Sequence, residues 1–149
     1  MKKIILLLLA LVLAACSAGA TTDYEKNLAK WNDANISHYR YSLFIGCFCA
    51  FRDQMPLTIE VKDGEVVSMT RSDGTAVNST DPSYDIFESY ATIDRVFLKL
   101  EADQTGGADE VAVTFDSTYG FPTNVAVDNI KEAIDDEISY QISEFEILE

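Results

Sequence analysis

Histidine is nearly missing from this sequence: His38 is the only one in 149 residues, and cysteine and proline occur three times each. One histidine excludes an HExxH helix and a three-histidine zinc site. No Gly-x-Ser-x-Gly elbow is present to pose a serine nucleophile beside it, and no twelve-residue EF-hand loop occurs. Basic residues are scarce as well, with Lys+Arg 11 against Asp+Glu 25 and a formal net charge of −14. A phosphate backbone requires a basic surface to displace its counterions, so nucleic acid is not an expected partner. Aromatic residues are absent from the first fifteen positions, and internal repeats and long low-complexity stretches are absent throughout.

What those first positions do contain is an address. Lys2 and Lys3 precede an apolar run from Ile4 to Val12, and Leu13-Ala14-Ala15 leads into Cys16. The pattern resembles a bacterial lipoprotein signal peptide, in which the cysteine thiol accepts diacylglycerol and becomes the first residue after cleavage. The uncharged run is too short to span a bilayer comfortably as a helix, which takes about 20 residues. Residues 1–15 are therefore expected to be a signal peptide, 16–22 a lipidated tether and 23–149 a single domain. Ser17, which is not Asp, resembles the outer-membrane sorting signal of two-membrane bacteria, and the expected location is extracytoplasmic. Removing residues 1–15 leaves nine basic against 25 acidic side chains. Such a surface repels anionic headgroups, so the membrane is expected to be reached through the lipid on Cys16.

Periodicity predicts the elements of the domain. Thr22 with Glu25 reads as a capping box, and Tyr24, Leu28 and Trp31 recur at helical spacing up to about Ser37. From His38 to Arg52 the period becomes two: Tyr39, Tyr41, Leu43, Ile45, Cys47, Cys49 and Phe51 share one face of a strand. Phe44 and Phe48 fall on the other face, which is expected to be partly covered too. Asp63-Gly64 between alternating runs predicts a tight hairpin. Residues 71–89 hold no firm period and read as a long loop, either a surface excursion or an ordered functional segment. A helix from Thr92 to Asp103 ends at Gly106-Gly107, and strands follow around Val111–Phe115, Pro122–Asp128 and Ile138–Ile147. Apolar parity switches near Ser143-Glu144 in the last of them, the mark of a bulge. The fold class is α+β, a mostly antiparallel sheet of about six strands with helices packed on at least one face.

Cys47 and Cys49 are the chemistry-bearing pair of the domain. An oxidising compartment favours a disulfide between them, but residues two apart in an ideal strand lie roughly 6.5–7 Å apart, so a bond requires a local kink. Two further readings stay open. One is thiol redox chemistry, although the spacing is not the Cys-x-x-Cys of a helix start. The other is binding of Cu(I) or Zn(II), with His38 or Met55 completing a set of which Cys-x-Cys is half. His38 otherwise marks the helix-to-strand junction. Asp135, Asp136 and Glu137 form an acidic run, and Asp73, Asp81, Asp85, Asp116 and Asp128 lie in or beside loops; they read as a solvated surface, with a calcium site as the sharper alternative. Tyr119-Gly120-Phe121-Pro122 reads as a plug at the end of the sheet, with an exposed ligand contact as its alternative.

Trp31, Tyr39-Arg40-Tyr41, Cys47-Phe48-Cys49, the Val61–Val66 hairpin, Ile93-Asp94 leading to Phe97, Asp116 with Tyr119-Gly120-Phe121-Pro122, and Asp128 before Asp136-Glu137 together resemble the DUF6174 family of bacterial, often lipoprotein, domains. The family commonly carries Gly-Tyr/Phe-Pro at the last turn. The resemblance covers nearly all of residues 23–149, and it implies no catalytic residue, cofactor or metal. The expectation is a non-enzymatic envelope module that binds a protein or a small ligand, or assists assembly. A thiol-redox or metal-handling protein built on Cys47 and Cys49 is the alternative, with a hydrolase third.

Overall fold

The computed structural model describes residues 22–149. Helix α1 (Asp23–Ala34) opens with its capping box made: the Thr22 hydroxyl accepts the Glu25 amide, and the Glu25 carboxylate accepts the Thr22 amide. It ends at Asn35, whose left-handed φ of 48° is one that asparagine tolerates, and so stops short of Ser37.

Strand β1 (His38–Gly46) follows, and here the sequence reading is corrected. The alternation predicts a strand to Arg52, yet the chain leaves the sheet at Gly46 and turns into a 3₁₀ helix at Arg52–Gln54. The turn lets the Cys47 and Cys49 sulfurs lie at disulfide distance with Cα atoms 5.2 Å apart, closer than a strand allows. Phe51 keeps its burial by a different route, edge-on against Phe87 with ring centroids 5.1 Å apart.

Strands β2 (Leu57–Lys62) and β3 (Glu65–Thr70) form the expected hairpin around Asp63 and Gly64, both at positive φ. The segment after β3 is an ordered excursion tied down by Arg71, which donates to Gln54 Oε1 (2.9 Å) and the Ala76 carbonyl (2.9 Å) and pairs with Asp81. It contains a short helix that periodicity missed, α2 (Tyr84–Glu88), because five residues are too few to display a period. Helix α3 (Ile93–Thr105) is capped by Thr92, whose hydroxyl accepts the Arg95 amide. Strands β4 (Glu110–Phe115), β5 (Pro122–Asp128) and β6 (Ile138–Ile147) complete the chain.

All six strands join one antiparallel sheet in the order β3-β2-β1-β6-β5-β4. The register slips between Arg40 and Ser42 against β6, beside Glu144 at φ 52°, which is the bulge announced by the parity switch. One face carries the core: Tyr39, Tyr41, Leu43 and Ile45 of β1 with Trp31 of α1 and Ile93, Val96, Phe97 and Leu100 of α3. Buried hydroxyls stitch the two layers. Tyr41 donates to the Tyr90 carbonyl (2.6 Å), Tyr39 accepts the Ile93 amide (3.1 Å), and Tyr140 donates to Asp103 (3.1 Å). Burial pushes the Tyr39 and Tyr90 hydroxyls up to about 12, so both stay neutral.

The other face differs from expectation. Arg40, Phe44, Thr58, Gln141, Asn124, Ala126, Ala112 and Thr114 are exposed on it, and none of α1, α2 and α3 packs there. The helices supply only enough apolar surface to cover one side of the sheet, which leaves the polar and small residues of the second parity to solvent. Among the described residues no helix is long and apolar enough to cross a membrane.

Candidate functional site

The structure separates the residues that a metal reading would unite. His38 begins β1, where its ring nitrogens meet Glu60 Oε1 (3.0 Å) and the Glu149 carbonyl (3.1 Å). Cys47 lies beyond the far end of that strand, whose length is about 26 Å at the usual rise per residue. Met55 is buried in the core at 7 % exposure. The loop carboxylates are spent on local turns: Asp73 accepts Thr75, Asp81 accepts Asn78, Asp116 accepts Thr118 and Tyr119, and Asp136 accepts Ile130. Among the described residues no group of three or more His, Cys, Asp or Glu is placed to hold a metal ion. Phe121 is buried and Tyr119 packs on Phe145, so the Tyr-Gly-Phe-Pro turn is the plug and not an exposed contact.

The open sheet face instead forms a groove. Strand register sets Gly46 of β1 opposite Ser139 of β6, Ser139 opposite Ala126 of β5, and Ala126 opposite Ala112 of β4. Four small residues thus make a straight depression across four strands, about 14 Å long at the usual strand spacing. A Cβ at Gly46 would fall 2.5 Å from Ser139 Oγ, so any larger residue there obliges that hydroxyl to turn away. Larger groups raise the walls. Phe44 stands on one side, and Phe48 and Arg52 come from the turn that Cys47 begins. Glu110 and Asp128 continue β4 and β5, and Asp135 and Glu137 arrive on the loop before β6. The volume enclosed is about 640 Å³, open to solvent along its length. Phe48 is 84 % exposed, second only to Ile134 among the large apolar residues described. A second hollow of about 500 Å³ lies against the same turn, lined by Cys47, Phe48, Cys49, Ala50, Arg52 and Asp53, so the cysteine turn stands as a ridge between the two.

The charge of the groove is one-sided. Four carboxylates face one guanidinium, and among the described residues Glu110 alone of the four has an ion-pair partner, Lys131 Nζ at 3.2 Å. Burial, and then the like charges of Asp136, Glu137 and Asp109, hold the Asp128 carboxyl above its ordinary value, against a smaller opposing pull from Lys131. Asp128 Oδ1 and, outside the groove lining, Asp136 Oδ1 are both shielded from solvent with no hydrogen-bond partner among the described residues.

Sequence reasoning grouped Asp135 and Glu137 in an acidic run and set Asp128 beside them among the surface carboxylates, but it did not join them to Phe48, and it passed over Gly46, Ser139, Ala112 and Ala126 altogether. A signal was present, since small residues occupy the solvent parity of the predicted strands. It becomes a groove only once register aligns them. The model of a family of unknown function, DUF6174, matches residues 23–147. No curated protein and no solved structure matches the chain.

Proposed function

The chain belongs to the DUF6174 family, a family of unknown function, and we propose that it is a non-enzymatic binding module of the cell envelope, held to the membrane by lipid on Cys16. Its ligand sits in the groove beside Cys47, Phe48 and Cys49. The observation that carries this reading is the groove itself, a shaped surface with an exposed aromatic side chain on a sheet face that the helices leave bare. The anchor is argued from Lys2, Lys3 and the Leu13-Ala14-Ala15-Cys16 pattern, residues that lie outside those the structure describes. Partners are accordingly an envelope protein or a small ligand.

The test is a photo-crosslinking side chain placed in living cells at Phe48 and, as a control, at Leu98, which is 62 % exposed on α3. Discrete adducts from position 48 and none from position 98 are expected. The same pattern from both positions overturns the assignment of the groove.

A thiol-redox reading has one observation in its favour: Cys47 and Cys49 are only half-buried, on a ridge between two hollows. It predicts that Cys47→Ser with Cys49→Ser abolishes the cellular role. The binding reading predicts that Phe48→Ala does so while leaving the sulfur pair intact.

A further inference from the structure

Taking the groove as the binding site, a premise that rests on the proposal above, we infer that its occupant is an extended segment of a partner protein that carries lysine or arginine beside an apolar residue. The floor sets the shape. Gly46, Ser139, Ala126 and Ala112 let a main chain approach the sheet closely, and a row of about 14 Å accommodates roughly four extended residues. The open side argues for a segment of a larger molecule, because pockets for small molecules enclose most of the ligand surface.

The walls set the chemistry. Glu110, Asp128, Asp135 and Glu137 outnumber Arg52, and the pairing of Lys131 with Glu110 still leaves an excess of negative charge. An anionic segment is repelled there, and a cationic one relieves repulsion already present around Asp128. Phe44, 38 % exposed, and Phe48 offer aromatic surface to an apolar neighbour of the cation or, through the ring face, to the cation itself. Specificity then requires both halves, since carboxylates alone attract any cation and the aromatic surface alone attracts any apolar group.

The experiment uses the full chain and fluorescence anisotropy. Its probes are a labelled pentapeptide of alternating lysine and leucine, the same peptide with glutamate for lysine, and spermine as competitor. The lysine peptide is expected to bind, the glutamate peptide not, and spermine is expected to displace the lysine peptide only at concentrations far above the peptide's own. Asp135→Asn with Glu137→Gln is expected to weaken binding about tenfold, as is Phe48→Ala, while Leu98→Ala leaves it unchanged. Both wall variants replace solvent-facing side chains, and matching circular dichroism melting curves establish that they fold.

Lysine-peptide binding that both wall variants leave unchanged overturns the inference, since it reports general surface charge. Failure of the lysine peptide to bind, or displacement by spermine at equal concentration, overturns it as well. Glutamate-peptide binding that Phe48→Ala weakens overturns the ligand class and leaves the groove standing as a site. The groove itself fails only on the crosslinking result at position 48.

Discussion

Asp128 is the residue at which the groove's electrostatics become a stability measurement. Its carboxyl binds a proton more tightly in the folded chain than in the unfolded one, because burial and the charges of Asp136, Glu137 and Asp109 oppose ionisation. Glu110 faces it across the β4–β5 ladder, and Lys131 is the cation that partly offsets the group. The favourable contribution is therefore fully present at low pH and is lost as pH rises through and above the ordinary value of 3.8. Asp128→Asn is expected to raise the midpoint of thermal unfolding at pH 7 and to change it little at about pH 3, where the carboxyl is already protonated. Circular dichroism melts at the two pH values decide it. No gain at pH 7 removes repulsion as the account of this site.

The turn between β4 and β5 shows how one element fixes another. Gly120 adopts φ 83° where α1 passes closest, and an added Cβ would meet the Asn27 carbonyl oxygen at 2.5 Å. Gly64, in the β2–β3 hairpin, has φ 80° with nothing within 4 Å. Both positions carry the backbone cost of a left-handed residue, about 1–3 kcal/mol for an ordinary side chain. Only Gly120 adds a collision with helix backbone, so Gly120→Ala is expected to destabilise the protein more than Gly64→Ala. Urea unfolding of the two variants measures the difference. Equal losses mean that α1 shifts freely away from the turn. Such a shift is opposed by Trp31, whose indole packs edge-on against Tyr39, Phe121 and Phe145 and donates to Asp94. The plug at the end of the sheet thus also positions the helix layer.

Over the whole molecule the sheet divides the labour: one face is closed by α1, α2 and α3, and the other presents the groove. The proposed anchor predicts an adduct on Cys16, and the sulfur distance predicts that Cys47 and Cys49 are oxidised. Intact mass with free-thiol quantitation checks both expectations, on chain extracted from membranes and on soluble chain beginning after Cys16. The soluble form is expected to lack two hydrogens and to show no reactive thiol until reduced. Absence of a lipid adduct from the extracted form overturns the localisation. Two reactive thiols before reduction move attention from the groove to the cysteine pair.

Local chemistry was enough to determine much of this protein from sequence. The capping box at Thr22, the Asp63-Gly64 hairpin, the helix that begins near Thr92, the bulge near Glu144 and the six-stranded α+β class each follow from residues close together in the chain. The end of β1 did not follow, because Cys47, Cys49 and Phe51 keep an alternating pattern after the backbone has left the sheet. The bare face did not follow either, since periodicity identifies a second parity without saying whether a helix covers it. Tertiary structure decided the groove. Gly46, Ser139, Ala126 and Ala112 are up to 93 positions apart in the chain and become neighbours only through hydrogen-bond register, and the carboxylates around them are one site because strand ends and a loop converge there.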